Sequence, residues 1–393
     1  MGAAANSDYT RRANLSLVLS LVHHRGELSR AELTRETGLN RSTVSTLVAQ
    51  LAELGLVFET PATATNQIGR PSSNVQVMSS TAAIAVNPEV DAITVGLVGL
   101  GGDVIRKIRY ETQRIPSAPE VANIAAAIIE GIRTELQSSY RIVGIGIAVP
   151  GLTRAEDGVV SYAPHLGWKD APIAALLAEA TGHLVCAAND ASLGARAEFL
   201  FGAGRGCLDI IYLNGGASGV GGGVVGGGIL RNGVAGYAGE LGHSLVNTDG
   251  VDCHCGSTGC LETEISLARL QSLVDLPGSD IDQLEVALRT DNSLKVRTEV
   301  ERQVDYLAVT LRNTVNVFNP ERIILGGFLA TLLELAPEQL VDRVTGGALH
   351  GPREVVSIVP AALGSSLLMI GAAELAFAGL LADPQGFLVH PLC

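Results

Sequence analysis

Gly239-Glu240-Leu241-Gly242-His243, followed ten positions after the histidine by Cys253-His254-Cys255-Gly256-Ser257-Thr258-Gly259-Cys260-Leu261-Glu262, is the most informative stretch of this 393-residue sequence. Three of the six cysteines fall within eight residues, too local for a disulfide framework in a chain of this length. Three thiolates and one imidazole, from His243 or His254, supply four ligands for a tetrahedral zinc ion, and Gly256 and Gly259 let the loop turn tightly around it. Four protein ligands close the coordination sphere, so this metal shapes the chain rather than activating water. A cluster of reduced thiols is the plainer reading, and the spacing speaks against it. The metal also draws two carboxylates together, Glu240 one helical turn before His243 and Glu262 two residues past Cys260. Gathered carboxylates accept hydrogen bonds from sugar hydroxyls, whereas isolated glutamates are usually surface charge.

On either side of this stretch, strand-like and helical runs alternate. Residues 93–100, 142–149, 184–188 and 210–214 read as strands and 119–138 and 173–181 as helices, which predicts parallel sheets with crossover helices. The alternation divides into two α/β lobes, 79–190 and 191–393, with the C-terminal helix free to return to the first. Asn189-Asp190 follows the strand 184–188, and the carboxyl end of a strand is where open α/β sheets place ligands, although the pair is equally typical of turns. Hydrophobic residues at 47% and charged residues at 17% suit a folded α/β protein and exclude disorder. With no leader and no apolar run of about 18 residues, a cytoplasmic location without membrane contact is expected.

Residues 1–78 have a different character. Leu15, Val18, Leu19 and Val22 lie at helical spacing between positions 11 and 24, and Gly26 ends the run. Ser29 with Glu32 forms a capping box for a second helix, 30–37, closed by Gly38; Asn40 caps a third, 41–54. The third helix buries Val44, Leu47, Val48, Leu51 and Leu54 and leaves Arg41, Ser42, Thr43 and Ser45 outward, the pattern of a helix-turn-helix whose second helix reads base edges. A wing follows, with strands at 56–59 and 74–78 and Arg70 at its tip, placed for a minor groove. The net charge of −13 argues against nucleic acid, but residues 1–78 carry seven Arg against six Asp and Glu, leaving the remaining 315 residues at −14. DNA contact therefore belongs to this winged helix-turn-helix. Three such helices also serve as dimerisation modules; the agreement of caps, turn glycine, polar face and wing favours DNA.

The two motifs of the opening stretch are similar to those of the ROK family (repressor, open reading frame, kinase), and the likeness extends from the N-terminal helices to Gly371-Ala372-Ala373-Glu374-Leu375. The resemblance implies a sugar-kinase-like fold of the actin/hexokinase type and selects His243 over His254 as the ligand beside Cys253, Cys255 and Cys260 of a structural Zn2+. It implies sugar binding by Asn189, Asp190, Glu240, His243 and Glu262, His243 using one nitrogen for metal and the other for ligand. Val149-Pro150-Gly151 and Ala163-Pro164-His165-Leu166-Gly167-Trp168 resemble the family's sugar-lining segments, with His165 where many relatives have asparagine. In related kinases the aspartate matching Asp190 is the base, which makes it a relic here.

Catalysis of phosphoryl transfer needs backbone N–H groups around the phosphates and a carboxylate for magnesium. Gly215 to Gly223 resembles the second phosphate loop of the superfamily, although so many glycines also suit close strand packing. Where ROK kinases carry Asp-x-Gly-Gly-Thr, this chain has Asn87-Pro88-Glu89-Val90-Asp91. Asn87 lacks the charge, Pro88 the N–H, and Glu89 and Val90 the freedom of glycine. A carboxylate about 4 Å from a phosphate charge costs about 4 kcal/mol at an effective dielectric constant near 20. The expectation is a non-enzymatic, sugar-responsive repressor, binding operator DNA as a homodimer or as a tetramer of two dimers and released by a sugar or sugar-phosphate effector. An ATP-dependent sugar kinase with an accessory DNA-binding domain is the alternative, and a sensor of a phosphotransfer protein a third. A dimer would set two recognition helices about 34–36 Å apart on a palindromic operator.

Overall fold

The computed structural model describes residues 2–61, 73–276, 281–291 and 293–388. The chain begins with α1 (Gly2–Arg25), β1 (Leu28–Ser29), α2 (Arg30–Thr37) and α3 (Arg41–Glu53), followed by the wing strands β2 (Val57–Thr60) and β3 (Asn74–Val77). Ser29 and Glu32 exchange their hydrogen bonds as the capping box requires, Gly38 is left-handed at φ 67°, and the Asn40 side chain accepts from the Thr43 N–H. Leu15, Val18, Leu19 and Val22 pack on Leu33, Val44, Leu47, Val48 and Leu51. α1 starts well before residue 11, where its apolar pattern begins. Asp8 pairs with Arg11 and Arg12 one turn later, and those arginines also bond to Gln385 and Asp383 near the other end of the chain. Strand β3 pairs antiparallel with both β2 and β1. The wing tip with Arg70 lies outside the described residues.

A five-stranded sheet follows in the order β11-β7-β4-β5-β6, comprising β4 (Thr81–Pro88), β5 (Ala92–Gly99), β6 (Val104–Glu111), β7 (Arg141–Val149) and β11 (Val185–Asn189). It is mixed, not parallel as the sequence suggested: β4, β7 and β11 run parallel, but short turns make β4, β5 and β6 an antiparallel meander. Helices α4 (Ala118–Gly131) and α6 (Ile173–Thr181) cover one face through Val121, Ala125, Ile129 and Leu177. The helix expected over 119–138 is broken at Ile132, and α5 (Arg133–Ser139) continues after it. A small sheet of β8 (Leu152–Thr153), β9 (Val160–Ala163) and β10 (Trp168–Ala171) projects from the end of β7.

After α7 (Asp190–Phe201), a second mixed sheet runs β14-β13-β12-β15-β16: β12 (Ile210–Gly216), β13 (Gly219–Gly226), β14 (Ile229–Leu230), β15 (Arg322–Gly327) and β16 (Ser357–Pro360). Over it pack α8 (Leu261–Glu264), α9 (Leu267–Leu273), α10 (Ile281–Thr290), the long α11 (Leu294–Phe318), α12 (Phe328–Leu335) and α13 (Pro337–Gly347), with α14 (His350–Val355) outside against α11 and α13. The last long helix, α15 (Leu367–Ala382), returns to the first sheet, where Met369, Ala372, Ala373, Ala376 and Phe377 join Ala83, Ala85 and Val98. A Cβ on Gly146 of β7 would stand 1.8 Å from the Ala372 carbonyl, so only glycine admits this helix so close. Among the described residues α15 and the turn before it form the one helical segment apolar and long enough to cross a membrane, and it is 61% buried within the protein. The same apolar cluster holds Leu15, Val22, Leu33 and Leu51, so the N-terminal helices and the first sheet share a continuous core.

Candidate functional site

Gly239, left-handed at φ 97°, turns the chain back against β13 before a short 3-10 turn, Leu241–His243, sets His243 beside Cys253. His243 Nδ1, Cys253 Sγ, Cys255 Sγ and Cys260 Sγ all lie within 4.8 Å of one another, with His243 Nδ1 3.5 Å from Cys253 Sγ and Cys255 Sγ 3.7 Å from Cys260 Sγ. Zinc with bonds of 2.3 Å to sulfur and 2.0–2.1 Å to nitrogen sets tetrahedral edges of about 3.8 Å for S···S and about 3.6 Å for S···N, so this donor set fits the ion. A second grouping joins His243, Cys253, His254 and Glu262. Cys253 and Cys260 are buried, and the loop between them is pinned by the Cys253 N–H donating to Ser257 and the Gly259 N–H to Val251.

The wall that carries this cluster faces the first lobe across a cleft. His243 Nδ1 is 3.4 Å from Glu262 Oε1, and His243 Nε2 is 3.8 Å from Glu240 Oε2. His254, which sequence reasoning kept as a fallback ligand, points Nδ1 at the same Glu262 oxygen from 3.2 Å and stacks edge-on between the rings of His243 and His165. Burial, with the carboxylates of Asp190 and Glu262, pushes the Glu240 carboxyl up to about 7. Asp190, at the first turn of α7 where β11 ends, is likewise raised to about 6 by burial, with Glu89 adding to the rise, although its carboxylate accepts the Ala191 N–H. Asn189 is placed differently from expectation: its Oδ1 caps α7 by accepting from Ser192, and its Nδ2 donates to the Gly151 carbonyl, so both ends hold the cleft wall. The His165 Nε2 is buried with no hydrogen-bond partner among the described residues, and His165 lines a cavity of about 390 Å³ together with Gly219 and Glu262.

A larger cavity of about 640 Å³ continues from this one between the lobes, lined by residues 87–91, Asp190, Tyr212 and the Gly215–Ser218 turn. Its Asn87 side chain is buried and donates to the Ala148 carbonyl, and the Glu89 N–H closes the β4–β5 turn onto Ala92. Asp91 is paired with Arg109 at 3.1 Å, so the repulsion that its charge would offer a phosphate is smaller than the sequence suggested. At the other end of the molecule Arg41 and Ser42 are exposed on the first turn of α3, Thr43 is half-buried, and the Ser45 hydroxyl accepts from Arg30. Arg30, which periodicity did not single out, also grips Glu59 of the wing through two hydrogen bonds.

The sequence profile of the ROK family matches residues 84–378, most of the chain. This chain belongs to the ROK family. A MarR-family profile matches residues 14–64, the helix-turn-helix. The chain is 30% identical to the "Xylose repressor" of Bacillus spizizenii over 370 residues, covering 93% of this chain and 95% of the relative. It is 31% identical to a "Glucokinase" of Thermotoga maritima over 300 residues, 72% of this chain and 93% of that enzyme. The crystal structure of a ROK family transcriptional regulator, described as a homologue of the Escherichia coli MLC protein, superposes with a TM-score of 0.78 at 26% identity over 97% of this chain and 98% of that one. The fold is accordingly a winged helix-turn-helix joined to the two-lobed ROK sugar-kinase-like fold.

Proposed function

We propose that this ROK protein is a sugar-responsive transcriptional repressor in which residues 1–78 bind operator DNA and the lobes 79–190 and 191–393 close on a sugar. The observation that carries it is the meeting of Asp190 from one lobe with Glu240, His243 and Glu262 from the other, in a chain that begins with a helix-turn-helix. Closing the lobes on a polyol satisfies groups from both sides at once, and the differential affinity of the two forms sets how far operator binding falls. His243, Cys253, Cys255 and Cys260 would hold zinc as a structural crosslink that fixes the 239–262 wall. Arg41, Ser42, Thr43 and Ser45 present the DNA face, with Arg70 on the wing; DNA binding by a homodimer, or a pair of dimers, follows from the symmetry of such operators.

Phosphoryl transfer is not proposed. Asn87 stands where a magnesium-directed carboxylate is needed and is tied to the backbone, while the Glu89 N–H is spent on the turn. Arg109 offsets the charge of Asp91, and it is the missing magnesium ligand and N–H donors that leave a triphosphate unsupported. A kinase with an accessory DNA-binding domain is favoured by one observation, the open cavity beside Gly215–Ser218. Thermal-shift screening against pentoses, hexoses and amino sugars tests the main reading, a ligand at about 100 times its Kd stabilising by about 2.7 kcal/mol. A coupled ADP-release assay tests the second; turnover near one per second would establish it.

A further inference from the structure

Where the N-terminal helices rest on the effector lobes, Glu374 of α15 is 1% exposed and lies against His23 and His24 at the end of α1. Its carboxylate oxygens are 2.5 Å from His23 Nε2 and 3.2 Å from His24 Nε2, and the Arg196 guanidinium of α7 is 3.6 Å away. Two imidazoles and a carboxylate are a metal-ligand set, but the far nitrogen of His23 decides against a metal. A metal-bound imidazole carries a proton on its other nitrogen and donates it. His23 Nδ1 instead accepts the Gly101 N–H at 2.8 Å, so its proton sits on Nε2 and points at Glu374. Burial pushes the Glu374 carboxyl up, but His23, His24 and Arg196 together hold it well below the usual range. The cluster joins α1, α7 and α15 around one buried carboxylate.

Two elements that build the cleft end at this junction. α7 begins at Asp190 in the cleft and spans about 18 Å over its twelve residues. It carries Arg196 to Glu374, and its last residue, Phe201, packs edge-on against the rings of His23 and His24 at 5.5 and 5.6 Å. β7 ends at Val149, beside the Gly151 carbonyl held by Asn189; at its other end Arg141 donates to the Leu54 and Gly55 carbonyls that close α3, and to Thr81. The DNA-reading helix and the helix behind it are thus each held by the far end of an element whose near end meets the cleft.

We propose that Arg196 and Glu374 are positioning residues that convert occupancy of the cleft into a change in the seating of α1 and, through its packing on α3, regulate DNA binding. This rests on the sugar reading above. The test uses the full chain and its Arg196→Met, Arg196→Lys and His24→Gln variants, the last at a partly exposed position where an amide can still donate to Glu374. Sugar binding is read as thermal stabilisation by D-xylose, D-glucose and N-acetyl-D-glucosamine. Operator affinity is read by fluorescence anisotropy on a duplex selected by the wild-type chain from a random library, with and without the stabilising sugar. The expected wild-type result is about a tenfold loss of operator affinity with sugar, within the usual range of coupling. Arg196→Met and His24→Gln keep the sugar stabilisation but bring that ratio below about twofold, and Arg196→Lys restores part of it. A joint that only stabilises would lower the melting temperature and leave the ratio unchanged, and that result overturns the proposal. If no sugar stabilises the wild type, or a stabilising sugar leaves its operator affinity unchanged, the sugar reading fails and this proposal falls with it.

Discussion

Replacing Asp190 with asparagine removes a carboxyl whose charged form the fold disfavours. The ordinary value of 3.8 is raised to about 6 by burial and by Glu89. Between those two values the folded chain binds more protons at this site than the unfolded chain, so the stability this site contributes is fully present below the unfolded value of 3.8 and is lost as pH rises through about 6. A rise of about two units corresponds to about 3 kcal/mol, reduced to about 2 kcal/mol because one side of the carboxyl faces the solvent of the cleft. Asparagine keeps an oxygen for the Ala191 N–H and cannot ionise. Asp190→Asn should therefore match the wild type at pH 4 and exceed it by about 2 kcal/mol at pH 7.5. Trp168, the single tryptophan and 5% exposed in the first lobe, reports urea unfolding of that lobe. The same variant should lose sugar stabilisation, since a hydrogen bond to a charged group is worth about 1.5–3 kcal/mol. A stability difference that is equal at both pH values, or a variant less stable at pH 7.5, would refute this reasoning.

Cys260→Ser, at a fully buried position of the proposed zinc set, should abolish stoichiometric zinc in elemental analysis and lower the melting temperature; chelation of the wild type should do the same and weaken sugar stabilisation. Ser29→Ala breaks the capping box of α2 and should cost about 1 kcal/mol in thermal melts. Arg41→Ala should weaken binding of a selected duplex; if Arg41 contacts phosphate, the salt dependence of log Kd falls by about one counterion, with sequence preference unchanged.

Local chemistry was legible in the sequence wherever a side chain acts on its own neighbourhood. Ser29, Glu32 and Gly38 mark both ends of α2, and Gly182 closes α6 where the apolar pattern stops. The Cys253–Cys260 spacing could be read as a ligand set because its loop is nearly self-contained. Contacts that depend on the whole fold were not legible. Glu374 meets His23 across 351 positions with no motif to connect them, and Arg30 reaches Ser45 and Glu59 only once helix and wing are packed. The antiparallel pairing of β4 with β5 left no mark on the apolar pattern because a strand buried on both faces reads as a plain apolar run whether its partner is parallel or not, and β6, mostly exposed, offers no apolar run at all. α1 extends past its apolar stripe because ion pairs and contacts with the C-terminal segment continue it, and those leave no periodicity. Asn189 was taken for a ligand contact, yet its residue type and position serve equally to cap the helix that presents Asp190.

The most direct measurement is the affinity of the intact protein for a selected operator duplex, titrated with a sugar that stabilises the protein, in the presence and absence of ATP and magnesium. A fall in affinity that follows sugar occupancy, is indifferent to nucleotide and leaves the sugar chemically unchanged is the predicted result. Operator affinity that responds only when ATP is supplied, with phosphorylated sugar appearing in the mixture, would contradict it.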